Sequence, residues 1–170
     1  MRHAFAFTLL FAAVMASAAP PAVTTVIVVR HAEKAGTTGD VPLSDSGRAR
    51  ARELARVLGS AGVTAIYDTQ YLRTQQTAEP LAAALKLEPV VAGTTATYAA
   101  DLAREIEKSH AGGTVVVISH SNLVPDLLRA LGISTPPPIA DTQYDDLFVV
   151  TRVDGAPAKL VALRYGAVAR

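Results

Sequence analysis

The sequence contains no cysteine and no tryptophan, and only 5% of its residues are aromatic. The absence of cysteine excludes disulfide bridges, a thiolate nucleophile and any zinc site built on cysteine ligands. Neither charge is in large excess, because 16 Lys and Arg residues stand against 15 Asp and Glu residues. A protein that binds nucleic acid through bulk charge usually carries a basic excess, so nucleic acid is not an expected partner.

Long hydrophobic runs are also missing. The longest one, residues 4–16, is shorter than the roughly 20 residues that cross a bilayer. Arg2 and His3 precede this run, and Ala16-Ser17-Ala18 follows the small-x-small pattern of a signal-peptide cleavage site. These features predict a cleaved signal peptide, with a buried first helix or an uncleaved anchor as the alternatives.

The expected organisation is therefore a signal peptide over residues 1–18 and a single domain over residues 19–170. The Ala- and Arg-rich composition is typical of bacterial chains, so we expect a periplasmic or secreted protein. Once the signal is removed, no stable membrane insertion is expected.

The remaining chain has the composition of a folded protein, since half of the residues are apolar and 18% are charged. Val23–Val29 and Thr114–Ile118 are continuous β-branched runs, which are typical of strands buried on both faces of a parallel sheet. Further strands are expected at Thr64–Tyr67, Glu88–Val91, Leu147–Val153 and Leu160–Tyr165. Helical patterns lie between them, so the sequence predicts an α/β fold with a mostly parallel sheet.

Four segments carry helical patterns. The spacing of Ala51, Leu54 and Leu58 predicts an amphipathic helix over Ser44–Leu58. Its arginines, which are expected mainly on the solvated side, are Arg48, Arg50, Arg52 and Arg56. A second apolar stripe starts at Ala78, and Pro80 is expected in the first turn of that helix or at a kink. The other two helices are expected at Asp101–Ser109 and Asn122–Leu131.

Each of the two strongest predicted strands ends in a polar cluster that contains a histidine. Arg30-His31 follows the first strand, and Ser119-His120 follows the other one and opens a helix. Ligands of open α/β sheets bind beyond the carboxyl ends of the strands, and a helix N-terminus favours an anion. Arg30 and Arg73 add guanidinium groups suited to phosphate oxygens. This set predicts an anion site without metal, and a metal site using both histidines and Glu33 is disfavoured because the arginines would repel a cation.

Four segments resemble, in the right order, those of the histidine phosphatase superfamily, also called phosphoglycerate mutase-like. They are VVRHAEK (Val28–Lys34), PLSDSGRARARELARVL (Pro42–Leu58), AIYDTQYLRTQQTAEPLA (Ala65–Ala82) and VVVISHSNLVPDLLRALG (Val115–Gly132). The resemblance runs from about Val23 to Tyr165. It implies a three-layer sandwich in which helices flank the sheet, and the compact length is similar to the small phosphohistidine-phosphatase branch.

The resemblance also implies roles for individual residues. His31 would be the nucleophile that becomes a phosphohistidine, Arg30 and Arg73 would bind the phosphoryl oxygens, and His120 would complete the phosphate pocket. We also expect Ser121 and Asn122 to contact the substrate. The implied partner is a small phosphorylated substrate, and no cofactor is expected.

The sequence does not identify which residue would be the general acid. Relatives carry a carboxylic acid after the third strand, or an Asp directly after the second histidine. Here Ser121 follows His120, and Asp101 lies near the first location. Asp101 is therefore the first candidate, followed by Asp68 and Glu33.

The function that best fits these observations is an exported, metal-independent phosphatase acting on phosphomonoesters. The alternatives are a phosphohistidine or phosphoprotein phosphatase and a non-catalytic phosphate-binding module. Retention of His31 together with Arg30 and Arg73 argues against the non-catalytic module.

Overall fold

The computed structural model describes residues 21–168, so the predicted signal peptide lies outside the described residues. Six strands and four helices follow one another along this part of the chain. They are β1 (Val23–Arg30), α1 (Asp45–Leu58), β2 (Val63–Asp68), α2 (Leu72–Leu85), β3 (Val90–Val91), α3 (Tyr98–Ser109), β4 (Thr114–Ser119), α4 (Val124–Ala130), β5 (Asp146–Val153) and β6 (Lys159–Arg164). Within residues 21–168, none of the helices combines the length and apolar character needed to span a bilayer.

The strands form one sheet in the order β3-β2-β4-β1-β5-β6. The first four strands in this order run parallel to one another. β5 pairs antiparallel with β1, and β6 pairs antiparallel with β5. β5 and β6 are joined by a tight turn in which Gly155 adopts a φ of 77°, a conformation that glycine tolerates best. The predicted α/β class with a mostly parallel sheet is confirmed.

Helices cover both faces of the sheet. On one face, α3 and α4 pack on apolar side chains of β1 and β4 that include Val26, Val28 and Val117. On the other face, α1 and α2 pack on the alternate side chains, which include Val29 and Ile118. The side chains of β1 and β4 are almost all buried because both strands are covered on both faces, and this explains their continuous β-branched sequences. The three-layer sandwich is confirmed.

The sheet places the two histidine clusters side by side. β1 and β4 are parallel neighbours, and their register pairs Arg30 with Ser119 at the carboxyl ends. The His31 backbone N–H continues this pairing by donating to the Ser119 carbonyl at 2.9 Å. The next side chains along the two strands, His31 and His120, therefore meet at the same edge of the sheet.

The loop after β1 is fastened to the beginning of α1. The backbone N–H of Ser44, the N-cap residue, donates to the Glu33 carbonyl at 2.9 Å, and the Ser44 hydroxyl accepts from the Gly47 N–H at 3.1 Å. A Cβ atom on Gly47 would lie only 2.1 Å from the Glu33 carbonyl oxygen, so this close approach requires glycine. The expectation for Arg50 is wrong, since this side chain is buried and binds the Glu33 carboxylate.

Helix α2 begins earlier than the apolar pattern indicates. It starts at Leu72, so Pro80 lies in its interior rather than in the first turn. The apolar stripe misses the first turns because they carry polar side chains that point toward the histidines. Arg73 contacts His120. The Thr74 hydroxyl lies 2.9 Å from the Thr69 hydroxyl, which also contacts His120. This start brings Arg73 to the same edge of the sheet as both histidines.

Candidate active site

A cavity of about 250 Å³ opens beyond the carboxyl ends of β1 and β4. Polar and charged side chains line it: Arg30, His31, Lys34, Arg73, His120, Ser121, Asn122, Asp141 and Tyr144. The structure thus brings together all six residues for which the sequence predicted a catalytic or substrate-binding role. Lys34, Asp141 and Tyr144 are additions.

His31 is fixed in one orientation by the backbone. Its Nδ1 lies 2.8 Å from the Ala32 carbonyl oxygen, which only accepts hydrogen bonds, so Nδ1 carries the proton and Nε2 keeps its lone pair. The Ala32 N–H in turn donates to the Thr77 hydroxyl at 3.0 Å, and this hydroxyl donates to the Arg73 carbonyl at 2.6 Å. The Nε2 nitrogen of His31 is therefore oriented by β1 and α2 together.

Burial and neighbouring charges keep both histidines neutral. The pKa of His31 is lowered to about 3, mainly by burial and further by the positive charges of Arg30 and Arg73 and by His120. Burial followed by Arg73 and Arg30 lowers the pKa of His120 to about 4. The two ring centroids lie 5.4 Å apart. A neutral imidazole with a free Nε2 lone pair is a competent nucleophile near pH 7.

His120 is held by side chains rather than by the backbone. A guanidinium nitrogen of Arg73 lies 3.4 Å from His120 Nδ1, and the Thr69 hydroxyl lies 2.9 Å from His120 Nε2. Because a guanidinium only donates, Nδ1 accepts and the Nε2–H donates to Thr69. The Thr69 hydroxyl in turn contacts the Thr74 hydroxyl at 2.9 Å, which donates to the Tyr71 carbonyl at 2.8 Å.

Arg30 uses one end of its guanidinium to organise the cavity wall. One terminal nitrogen donates to the carbonyls of Ala140, Asp141 and Gln143 at 2.9, 2.8 and 3.1 Å. The guanidinium carbon lies 4.1 Å from the ring centroid of Tyr144. The buried Nε–H has no acceptor within residues 21–168. The remaining donors of Arg30 therefore suit the oxygens of an anion.

Arg73 is positioned by an aromatic ring and a distant carboxylate. Its guanidinium carbon lies 4.4 Å from the ring centroid of Tyr71, and a terminal nitrogen is 3.8 Å from an oxygen of Asp40. The Asp40 carboxylate also accepts the Leu72 N–H at 2.9 Å, so it caps the start of α2. Arg73 thereby keeps donors available to the cavity.

The three candidate acids from the sequence do not line this cavity. Glu33 makes a bidentate pair with buried Arg50, with N–O distances of 2.7–3.1 Å. Asp101 is exposed on α3, where hydrogen bonds from Thr97 and Arg104 keep its pKa below the usual value. Neither carboxyl group is in position to protonate a leaving group at His31.

Asp68 lies at the end of β2 but borders a different cavity. Its side chain is buried, and burial raises its pKa to about 6. The cavity that it lines has a volume of about 660 Å³, runs along α2 to Lys86 and Val91, and contains neither histidine. The larger of these two cavities is therefore not the one that holds the predicted chemistry.

The sequence does not indicate Asp141, Tyr144 and Thr69 as site residues. Asp141 and Tyr144 lie in the loop between α4 and β5, where neither periodicity nor a motif marks them. The signal for Thr69 was its position at the end of β2, one residue after Asp68. These residues are brought to the cavity by the Arg30 contacts and the His120 contact described above.

The donor set of the cavity suits an anion better than a cation. Arg30, Arg73 and Lys34 surround the two imidazoles with positive charge, and the backbone after β4 turns into α4 at the same place. Within residues 21–168, no three His, Asp or Glu side chains are grouped so that they could hold a metal ion. Arginine forks can bind the equatorial oxygens of a phosphoryl group in such a site.

Comparisons with known proteins agree with this geometry. Residues 26–94 match the model of the histidine phosphatase superfamily (branch 1). The structure is similar to that of the protein histidine phosphatase SixA complexed with tungstate, with a TM-score of 0.66, 23% identity, and coverage of 82% of this chain and 96% of that one.

Two further solved phosphatases share the fold. The mycobacterial glucosyl-3-phosphoglycerate phosphatase Rv2419c has a TM-score of 0.62 and 18% identity, over 78% of this chain and 97% of that one. The phosphoserine phosphatase of Entamoeba histolytica has a TM-score of 0.60 and 16% identity, over 85% of this chain and 98% of that one. These neighbours show that the chain shares the fold of known phosphatases, and the family match points to the same superfamily. Together they confirm the resemblance of the chain to the histidine phosphatase superfamily.

Proposed function

We propose that the protein is an exported, metal-independent phosphatase that hydrolyses phosphomonoesters through a phosphohistidine intermediate on His31. The observation that carries the proposal is the environment of His31. Its neutral ring is locked with Nδ1 on a backbone carbonyl, and its Nε2 faces a cavity lined by cationic side chains. An imidazole suited to nucleophilic attack and donors suited to phosphoryl oxygens therefore line one small cavity, and this supports the proposal.

The first chemical step forms a bond between His31 Nε2 and phosphorus while the bond from phosphorus to the ester oxygen breaks. Arg30 and Arg73 bind the equatorial oxygens, whose negative charge must be stabilised in the transition state. In the second step, water attacks phosphorus, the bond to Nε2 breaks and inorganic phosphate leaves. Splitting the transfer into two steps lowers each barrier.

His120 completes the phosphoryl site in this mechanism. Its Nε2–H is engaged by Thr69, and its Nδ1 faces Arg73. When the phosphoryl group takes up the donors of Arg73, Nδ1 of His120 is free to bind a protonated phosphoryl oxygen or the attacking water. His120 therefore assists both steps without forming a covalent bond.

The same residues support the proposed metal independence. The positive charges of Arg30, Arg73 and Lys34 supply the neutralisation that a divalent cation supplies in other phosphatases. Dialysis against EDTA should leave kcat/KM unchanged, and vanadate should inhibit. Activity that disappears with EDTA and returns with zinc or magnesium would overturn this part of the proposal.

The function is tested by phosphate release from a panel of sugar, nucleotide, peptide and aryl phosphates. The mature chain, residues 19–170, should hydrolyse at least one ester class, and the His31→Ala variant should not. Phosphate binding without hydrolysis of any ester in the panel would instead favour the non-catalytic module.

Export is part of the proposal and rests on the sequence of residues 1–18. The basic start, the apolar run and Ala16-Ser17-Ala18 together support cleavage after Ala18. N-terminal sequencing of the protein from its native host should give Ala19 as the first residue. Retention of Met1 would contradict the periplasmic or secreted location.

A further inference from the structure

We propose that Asp141 is the proton donor to the leaving group, a catalytic role that rests on the function proposed above. Among the residues that line the cavity, Asp141 is the one that carries a carboxyl group. The three carboxylic acids that the sequence suggested lie elsewhere. The cavity therefore contains a carboxylic acid, at a position that neither the strand ends nor the helices mark.

Both histidine clusters position Asp141. Its backbone carbonyl accepts a hydrogen bond from Arg30 at 2.8 Å, and its carboxylate accepts one from the Ser121 hydroxyl at 3.2 Å. Arg30 directly precedes His31 and Ser121 directly follows His120, so the carboxyl group is tied to the ends of β1 and β4. The adjacent loop is closed by the Gln143 N–H, which donates to the Ala140 carbonyl at 2.9 Å.

The location of Asp141 suits a group that exchanges protons. Its side chain is exposed at the cavity mouth, whereas the histidines and Arg30 are buried deeper. The phosphoryl group binds at the arginines, so the alcohol part of the ester points toward the mouth. A carboxyl group there is within reach of the departing oxygen and of bulk water.

The proton that Asp141 gives up in the first step is recovered in the second. In the first, the Asp141 carboxyl proton moves to the departing oxygen as the Nε2–P bond forms and the P–O bond breaks, which releases a neutral alcohol. In the second, the Asp141 carboxylate takes a proton from the attacking water as the Nε2–P bond breaks. The carboxyl group is then ready for another cycle.

The leaving-group dependence of kcat/KM tests this role, because kcat/KM reports the steps up to departure of the alcohol. The substrates are p-nitrophenyl phosphate, phenyl phosphate and glycerol phosphate, whose alcohols are progressively poorer leaving groups. In Asp141→Asn, we expect glycerol phosphate to lose roughly 10²–10⁴-fold and p-nitrophenyl phosphate to change little. The amide still accepts the Ser121 hydroxyl, so the loop is preserved.

Two controls separate proton donation from other effects. Asp101→Asn removes an exposed carboxylate outside the cavity and should leave all three rates unchanged. Tyr144→Phe removes the phenolic O–H but keeps the ring that stacks on Arg30, and it should not produce the selective loss on glycerol phosphate. Ser121→Ala should show a smaller loss with the same selectivity, and Ser121→Thr should restore it.

An equal loss on all three esters in Asp141→Asn, or no loss on glycerol phosphate, would overturn the assignment. A selective loss in Tyr144→Phe alone would move the role to the phenol and overturn it as well. These outcomes differ from a failure of the phosphatase proposal, in which the wild type would hydrolyse none of the esters or His31→Ala would hydrolyse them equally well.

Discussion

The two histidines lie in neighbouring clusters, yet they are held by different means. His31 donates through Nδ1 to a backbone carbonyl, which cannot reverse its hydrogen-bonding role. His120 contacts the Thr69 hydroxyl and the Arg73 guanidinium, and a hydroxyl can either donate or accept. The tautomer of His31 is therefore set by the backbone, whereas that of His120 is set by the Arg73 side chain, whose donors a bound phosphoryl group would take up. This difference suits the proposed roles, a nucleophile beside a partner that serves two steps.

The largest expected effect distinguishes these two rings. His31→Ala should remove essentially all turnover, beyond the roughly 10²–10⁴-fold cost of losing a proton-transfer group, because it removes the covalent step. His120→Ala should leave a measurable rate. Initial rates on p-nitrophenyl phosphate, with circular dichroism to verify folding, would show the difference. Equal residual activity in the two variants would remove the distinction.

The second-largest effect is expected at Arg73, the positively charged side chain shared by both histidine clusters. Arg73→Ala should lower kcat/KM by roughly 10²–10³-fold, the usual cost of removing one donor to a developing oxyanion. Arg104→Ala is the matched control, since Arg104 is an exposed arginine that pairs with Asp101 on α3. A loss in Arg73→Ala no greater than in Arg104→Ala would exclude Arg73 from the phosphoryl site.

A smaller effect is expected at the side chain that orients His120. Thr69→Val leaves the His120 Nε2–H without an acceptor and should reduce kcat/KM by about tenfold, the equivalent of one hydrogen bond. Thr69→Ser should restore the rate, and Thr95→Val, at an exposed hydroxyl, should have no effect. A Thr69→Val enzyme with wild-type kcat/KM would show that the Thr69 contact does not orient His120 for catalysis.

Both histidine rings should also make the stability of the protein depend on pH. In the folded state the pKa values of His31 and His120 are lowered to about 3 and about 4, from an ordinary value of 6.5. Between about pH 4 and pH 6.5, the unfolded chain therefore binds more protons than the folded chain does. The free energy of unfolding should therefore fall as pH decreases from 7 to 5, by about 1–2 kcal/mol per histidine. Denaturant titrations at both pH values measure this, and His31→Ala should reduce the fall.

Asp68 should act in the opposite direction. Its pKa is raised to about 6, so its burial costs stability above that pH and costs less as pH falls toward 5. Asp68→Asn should raise stability at pH 7 by about 1–2 kcal/mol and make the decline toward pH 5 steeper. An Asp68→Asn protein that is less stable at pH 7 would contradict this account of the carboxyl group.

The sequence predicted the parts of the fold and site that depend on local pattern. The β-branched runs of β1 and β4 are buried on both faces, and the polar residues at which they end, among them His31 and His120, meet because the strands are parallel neighbours. Asp141 could not be predicted in this way. Its position depends on hydrogen bonds between Arg30 and backbone carbonyls 110–113 residues away, which no side-chain pattern records.

Local sequence was misleading for Glu33, which lies close to His31, and for Arg50, which lies in a helical pattern. Glu33 follows His31 closely, but its carboxylate turns away to buried Arg50, which also donates to the Tyr165 carbonyl. A helical arginine is usually solvated, so the pattern of α1 favoured the exposed side for Arg50. The tertiary contacts with the loop after β1 and with the end of β6 determined the outcome instead.

Trapping the phosphoryl-enzyme tests directly whether His31 is the nucleophile. The protein is mixed with p-nitrophenyl phosphate, quenched in alkali and analysed by mass spectrometry and ³¹P NMR, which distinguish the two phosphohistidine isomers. Because Nδ1 of His31 is occupied by the Ala32 carbonyl, we expect acid-labile phosphate on Nε2 of His31. The His31→Ala variant should trap none. Phosphate on His120, on Nδ1 of His31, or on a serine or aspartate in an enzyme that turns over would contradict the account.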